Sequence, residues 1–338
     1  MAFLKCGRVW EGNTETRVTL PHVSVIIIGR NEARNLPACI QSIREMDYPQ
    51  DRLELMYVDT DSTDGSPDVA RSLGVTVYEE HSDLPSAGRA RNRGWREAQY
   101  EIVHFVDGDM TVAPGYLKQA VRHLGNDGVV CVIGRLDEKR QHSNPIAATL
   151  HYTWRARQPG FVDAPGAGGT FLKSALDEIE GYNSNILRGE ETDLGFRLRA
   201  AGYRMLMIEA VMGTHDYDIQ TLGQLVKWLL RMGYSFGAVL GTPPQASLAN
   251  DRARARNLLV QAVLLVIYLG LALAMRWWWM LPLWPLALVL FVIVRYWNLD
   301  VPQRRWAAIR YYGLVYLAKP IIIAGIVQYW WQRIVRKV

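Results

Sequence analysis

The sequence predicts an α/β protein with a mostly parallel, doubly wound sheet, followed by a C-terminal transmembrane helical hairpin. Three observations lead there. Short β-branched runs alternate with amphipathic stretches between residues 23 and 106, the pattern of successive β-α units. Polar clusters follow three of those runs at the same relative place. Two long uncharged segments then lie near the C-terminus, each just long enough to cross a hydrocarbon core.

Residues 23–28 are almost continuously β-branched, as a strand buried on both faces requires. Gly29 ends the run. A helix is expected over 35–44, apolar at Leu36, Ile40 and Ile43, capped by Asn35 and with Pro37 in its first turn. A second strand, 53–58, leads into the acidic turn 59–65. A helix over 67–73 with Ser66 as its cap, a strand over 75–78, a helix over 87–98 and a strand over 102–106 complete the alternation. In such sheets ligands bind beyond the carboxyl ends of the strands. Gly29-Arg30-Asn31-Glu32, the 59–65 turn and Asp107-Gly108-Asp109 all stand at such ends. Their shared position points to a nucleotide site.

Farther on, PGAGGT at 165–170 reads as a Gly-rich loop before a helix over 173–179. Another helix is expected over 193–201 and a strand over 205–212. The apolar positions of 221–236 (Leu222, Leu225, Val226, Leu229, Phe236) fit a core-facing helix or one lying on a bilayer equally well. Residues 257–275 and 277–294 carry no charge. Arg252, Arg254 and Arg256 precede the first segment; Arg295, Arg304, Arg305 and Arg310 follow the second, and only Arg276 lies between. The positive-inside rule then places both flanks at the cytoplasmic face of the cell membrane. Segment 311–331, interrupted by Lys319 and Pro320, is expected to be an interfacial or re-entrant helix rather than a third span.

The domains follow as an N-terminal extension (1–20), an α/β domain (21–250) and a membrane region (251–338). Composition agrees, since eight of the 12 Trp lie beyond residue 276. The net charge of +5 arises beside the apolar segments, with no basic tract interleaved with aromatics. Membrane lipids are the expected partner, and nucleic acid is not. Cys6, Cys39 and Cys131 form no CxxC or metal-like spacing and suit a reducing compartment. The apolar run at 1–6 is too short for a signal peptide.

Carboxylates at a strand end suit a hard cation bound to a diphosphate, and Asp107-Gly108-Asp109 supplies two, with Gly108 allowing close approach. In order, VSVIIIGRNEARNL, VDTDSTDGS, SAGRARNRGW, FVDGDM, GAGGTFLKSALDEIEGYN and GEETDLGFRLRAAGY resemble the family 2 glycosyltransferases over about residues 21–240. The resemblance implies the Rossmann-like GT-A fold, a nucleotide-diphosphate sugar donor (a UDP-sugar first) and Mg²⁺ or Mn²⁺. It implies that Arg30 and Glu32 line the nucleoside pocket, that Asp59 contacts base or ribose, and that Arg91 helps hold the nucleotide. Asp107 falls near ribose and metal, Asp109 on the metal, and His215 on metal or diphosphate. The family often has Pro-Thr or Pro-Ala at Ile28-Gly29 and a second Asp at Thr60; either Asp61 replaces that Asp or base recognition differs. The acidic pair matches Glu190-Glu191, with Glu191 as general base and Glu190 on the acceptor side. Asp193 is its rival, with a first-turn helix acid as its ordinary role. Gln224 and Trp228 resemble a QxxRW element at the acceptor mouth, with Lys227 for Arg, but a chance match or an interfacial helix is the preferred reading.

The expected function is a multi-pass, inverting transferase acting on a lipid-linked or membrane-proximal acceptor. The alternatives are a polyprenyl-phosphate sugar synthase, whose acceptor is already an anionic phosphate, and a non-catalytic nucleotide-sugar-binding membrane scaffold. A transporter is disfavoured, since the apolar segments lack ionisable residues and repeats.

Overall fold

Strand β1 (Val23–Gly29) and the elements that follow it form close to where the alternation predicts: α1 (Leu36–Arg44), β2 (Leu53–Asp59), α2 (Ser66–Ser72), β3 (Thr76–Glu79), α3 (Ala87–Glu97) and β4 (Ile102–Asp107). This is a computed structural model describing residues 19–82, 86–139, 144–151, 158–166, 168–216, 219–241, 246–276 and 302–336, with scattered helical positions between 283 and 294. The side chains of β1 feed two cores, one on each face of the sheet. Val23, Val25 and Ile27 pack with Leu36, Ile40 and Ile43 of α1, while Ile26 and Ile28 pack with Ala90, Trp95 and Phe105. Each buried aliphatic side chain contributes about 1.5–3 kcal/mol, so a strand apolar at every position is stable only where both faces are covered.

The second half departs from the expectation. It adds β5 (Met110–Val112), α4 (Tyr116–Ala120), β6 (Val129–Glu138), α5 (Pro145–Leu150), β7 (Gly160–Phe161), β8 (Gly169–Leu172), α6 (Lys173–Glu178), α7 (Glu190–Ala200) and β9 (Arg204–His215). The strand order is β3-β2-β1-β4-β8-β6-β9-β5, with β7 also on β9. Among the described residues four pairings are parallel and four antiparallel. The sheet is therefore mixed, and parallel throughout only over β3-β2-β1-β4. Antiparallel neighbours need no helical crossover, which lets β8 enter between β4 and β6 directly from a loop. The last two residues of the PGAGGT segment, Gly169 and Thr170, are thus strand and not loop.

Local details differ too. Asn35 and Gly65 hold the cap positions of α1 and α2 without side-chain cap bonds, and Ser66 lies inside α2. Helix α7 begins at Glu190, three residues before the expected start, which puts the acidic pair in its first turn.

Three long helices and a bent partner close the fold: α8 (Leu222–Gly241), α9 (Ala249–Ala274), α10 (Pro302–Leu317) and α11 (Lys319–Arg336). The core-facing reading of α8 prevails. Leu225 and Leu229 join Leu150, Ala318 and Ile322 in a third cluster, and Gly233, Gly237 and Gly241 run along the same face against α11. A Cβ on Gly233 would overlap the Ile322 carbonyl, and one on Gly325 would overlap that of Leu230. Close backbone approach of this kind is a recurrent helix-packing device.

Helix α9 carries the first expected span. It belongs to the helical stretch Ala246–Ala274, whose most apolar 18-residue window has a mean hydropathy of 2.2 and is only 6% buried. Val260, Val263, Leu264, Val266 and Ile267 are all more than half exposed, so a broad apolar face of the helix points outward. Among the described residues this is the one unbroken helix long and apolar enough to cross a membrane. The second expected span, 277–294, lies largely outside the described residues, so the hairpin stays an expectation. Segment 311–331 falls on α10 and α11, which meet at a 51° bend where Pro320 cannot continue the hydrogen-bond ladder.

Candidate active site

Three strand tips meet at the end of β1. Ile28 pairs with Asp107 and Gly29 with Asp59; Gly108 N donates to Ile28 O (2.8 Å) and Thr60 N to Gly29 O (3.1 Å). A Cβ on Gly108 would stand 3.1 Å from Glu32 Cγ, so the glycine admits the Glu32 side chain to the tip. The loop after β1 is laced to the 59–65 turn, with Asn31 N donating to Ser62 Oγ, Glu32 N to Ser66 Oγ and Ala33 N to Asp64 Oδ2.

Asp59 is buried and accepts from Tyr57 OH (2.7 Å), Ser62 Oγ (2.6 Å) and Ser62 N (2.8 Å). Its local work is to hold the turn. Arg30 is exposed and Asp61 half-exposed. Asp61 bonds His81 Nδ1 (2.8 Å) and accepts from Ser82 N. The His81 hydrogen bond, followed by the Ser82 amide, holds the Asp61 carboxyl below its ordinary range, and the same contact raises His81. His81 had no sequence signal, since a lone histidine after a short strand predicts nothing.

Arg91 and Asn92 divide their labour. Asn92 donates to Tyr182 O and accepts from Tyr182 N (2.7 and 2.8 Å), fixing the Gly181-Tyr182 turn. Arg91 is 1% exposed, stacked 5.5 Å from the Tyr182 ring centroid. Its NH2 donates to Asp107 Oδ1 (3.0 Å), while NH1 lies 3.5 Å from Glu190 and 3.6 Å from Glu191. Burial works against its charge, but Asp107, Tyr182 and the acid pair outweigh it and raise its pKa. The guanidinium, expected to help hold the nucleotide, is a buried bridge between two groups of carboxylates. Burial raises the Asp107 carboxyl, opposed by Arg91. It raises Glu190 too, reinforced by Glu191 and opposed by Arg91.

Asp109 and His215 form the other corner. His215 ends β9, in register with Met110 and Glu138, and its Nε2 lies 3.0 Å from Asp109 Oδ2. Burial opposes the imidazolium, yet the Asp109 hydrogen bond prevails and raises His215. Burial likewise lifts Glu32 to about 7, against the hydrogen bond from Asn35 Nδ2, with Asp109 adding to the rise. The expected ligand set of Asp107, Asp109 and His215 is not assembled: Asp107 is turned to Arg91, and among the described residues no three His, Cys, Asp or Glu side chains gather to hold an ion. Asp109 Oδ1, however, is buried without a hydrogen-bond partner. Mg²⁺ or Mn²⁺ takes one or two carboxylates plus phosphate oxygens, and that orphan oxygen fits such a cation.

Asp193 accepts from Arg197 Nε (2.8 Å) and Ser247 Oγ (2.7 Å), a structural position. Gln224 closes a capping box on α8, its Oε1 accepting from Thr221 N (2.9 Å) and its own N donating to Thr221 Oγ1 (3.2 Å). The Thr-x-x-Gln spacing was legible in the sequence. Trp228 packs on the third cluster. Beyond Glu190 and Glu191 opens a cavity of about 360 Å³, walled by Arg188, Phe236, Val239, Asp251 and Arg254.

With this geometry in place, comparison with known proteins is informative. Residues 24–179 match the model of glycosyl transferase family 2. This stretch is similar to the family 2 glycosyltransferases. The match includes Arg91, Asp107 and Asp109 and stops short of Glu190, Glu191 and His215. The chain is similar to glycosyltransferase AglE of Haloferax volcanii, 25% identical over 64% of this chain and 73% of that protein. It is also similar to the pre-mycofactocin glycosyltransferase of Mycobacterium tuberculosis, 26% identical over 64% of this chain and 46% of the relative; the match thus spans less than half the length of that relative. In fold, the chain resembles the mannosyltransferase PcManGT from Pyrobaculum calidifontis, solved with GDP-Man and Mn²⁺, with a TM-score of 0.58 and 21% identity over 94% of this chain and 89% of the other. The α/β domain therefore has the GT-A-like fold that the motif series implied.

Proposed function

We propose that the chain is a membrane-bound, inverting glycosyltransferase that moves a sugar from a nucleotide-diphosphate donor to a lipid-linked or membrane-proximal acceptor at the cytoplasmic face. One observation carries the reading: Asp107, at the donor-side strand tip, and Glu190 and Glu191, at the cavity, share the buried Arg91 guanidinium. Donor and acceptor chemistry are thereby fixed relative to each other, the positioning on which bimolecular catalysis depends.

Arg30, Asp61 and His81 face the nucleoside side, and the Asp59 turn shapes its wall. Asp109 and His215 would hold a divalent cation, which supplies neutralisation of the departing diphosphate; the Mn²⁺ bound to PcManGT supports this. Glu191, the more exposed of the pair, takes the proton of the acceptor hydroxyl. The hydroxyl oxygen forms a bond to the anomeric carbon as the bond to the β-phosphate oxygen breaks, and the electron pair leaves with the nucleoside diphosphate. A single in-line displacement inverts the anomeric centre. Glu190, deeper and raised by burial, can donate a hydrogen bond to the acceptor.

The test is a donor screen with purified full-length protein and Mg²⁺ or Mn²⁺, reading nucleotide release, then repeated with cell lipid extract. Cation-dependent release with a labelled lipid product is expected. If no nucleoside-diphosphate sugar is turned over, the reading is wrong.

A further inference from the structure

Strand β6 ends on two adjacent carboxylates, Asp137 and Glu138, and β9 ends beside them on His215. The register that brings them together is irregular. Residues 133–136 of β6 stand opposite 207–213 of β9, with two breaks in the pairing. Gly134 lets the surplus of β9 fold in, since a Cβ there would stand 2.6 Å from the Ala210 carbonyl oxygen. Beyond the breaks the pairing is regular again: Leu136 with Gly213, Asp137 with Thr214, Glu138 with His215. Irregularities of this kind re-aim side chains beside active sites. Side chains alternate along a strand, so a slip of one residue would exchange the two carboxylates between the faces of the sheet.

The two carboxylates consequently serve different histidines. Asp137 Oδ1 lies 3.8 Å from Nε2 of His151, which caps the end of α5. Glu138 points to the opposite face, beside His215, and is 1% exposed. Against the burial of the ring, its charge joins those of Asp109 and Asp107 in favouring the imidazolium. The backbone of His215 is held from both sides. It is in register with Met110 of β5, and its carbonyl accepts from Lys139 N (2.9 Å). Only the rotation of the ring is left for a neighbouring side chain to decide. Nε2 is directed at Asp109 (3.0 Å), the aspartate whose Oδ1 is buried and fits a cation, while Nδ1 lies away from water. A histidine that ligates through one nitrogen does so best when a carboxylate faces the other, which fixes the tautomer and raises the basicity of the ligand. Glu138 is the carboxylate that the strand pairing sets beside the ring.

Resting on the transferase reading above, we propose that Glu138 is a positioning residue, which holds the His215 imidazole with Nε2 turned to the Asp109 corner for a divalent cation and the donor diphosphate. It touches neither itself. The corner thereby draws on three places in the chain: Asp109 after β4, His215 at the end of β9 and Glu138 at the end of β6. The irregular β6–β9 register is what brings the last two level.

The test reads Mn²⁺ bound by full-length protein in phosphatidylcholine nanodiscs, from the electron paramagnetic resonance of the free ion, with UDP or GDP present and no sugar donor. Glu138→Gln, or Glu138→Met should the Gln variant fold poorly, is expected to raise the Mn²⁺ Kd about tenfold or more. His215→Ala should weaken binding too. Adding the Glu138 substitution to it should cost less than about a further twofold, because a residue that works through His215 then has nothing to position. Asp137→Asn removes the same charge from the other face and should stay within about twofold of the parent. The inference is overturned if the parent binds no Mn²⁺, if the Glu138 variant binds it as the parent does, if the two substitutions weaken binding independently, or if Asp137→Asn weakens it equally. Sugar transfer measured on the same samples separates the two readings. Mn²⁺ binding that needs Glu138 through His215, without any turnover, leaves the inference standing and removes the transferase; cation-dependent turnover with a Mn²⁺ Kd indifferent to Glu138 does the reverse.

Discussion

Replacing Arg91 by Met keeps an unbranched apolar stem in place of the side chain and removes its charge. The guanidinium is 1% exposed and serves Asp107, Glu190 and Glu191 together. All three would be left buried or half-buried without their cation. Breaking a buried ion pair from one side costs about 3–5 kcal/mol; at roughly 2–4 °C per kcal/mol for a domain of this size, Tm should fall by about 6–20 °C. The deficit has a sign in pH. Asp107 and Glu190 already sit above their ordinary carboxylate values, and loss of Arg91 raises them further. Their ionised forms then cost stability above those raised values, and the cost fades as pH falls toward the unfolded ones. Differential scanning fluorimetry in detergent at several pH values reads both effects. Arg91→Lys should fall in between, because it keeps the charge without the planar fork. A deficit below about 2 °C near neutral pH, or one that does not shrink in acid, would refute Arg91 as the bridge.

Glu191→Gln should lower sugar transfer by about 10²–10⁴ with donor affinity retained, checked by turnover and nucleotide titration; transfer within a factor of a few of the parent would remove Glu191 as base. Asp109→Asn should cost about a hundredfold or more in turnover and flatten the Mn²⁺ dependence, whereas an unchanged Mn²⁺ titration would place the cation elsewhere. Glu32, held near 7 by burial, is raised in the fold, so it opposes folding increasingly as pH climbs from its unfolded value through about 7; Glu32→Gln should gain Tm relative to the parent over that window, and a pH-independent difference would contradict it. Gly325→Val should separate α11 from α8 and expose both to limited proteolysis, since the added side chain collides with the Leu230 carbonyl; unchanged proteolysis would count against the packing.

The parallel half of the fold was legible because its signals are local. The β-branched run at β1 and the apolar run at β4 end where polar clusters begin, and both strands lie where those runs predict. The antiparallel half was not, since β8 holds only Gly169–Leu172 and acquires its strand character from β4 and β6 on either side. At the site, the identity of the carboxylates could be read from the motifs, but their partners could not. Nothing in the spacing of Arg91 from Glu190 shows that they meet. The docking of Gly189 on Leu248 is equally a tertiary matter, although a glycine before an acidic helix start hints at an unusual backbone. Gln224 carries a local signal of its own: the Thr-x-x-Gln capping box accounts for the contacts it makes with Thr221.

The glycine ridge of α8 has a consequence for how the protein is made. Gly241 and its contact Arg333 are 92 residues apart, which at ordinary elongation speeds of ~5–20 residues per second corresponds to a delay of roughly 5–20 s. During that interval α8 has left the ribosome while the surface that must meet its ridge is still unwritten. The strand tips can be in order well before then, so nascent chains should order the sheet first and seat α8 only after the 325–333 stretch has emerged.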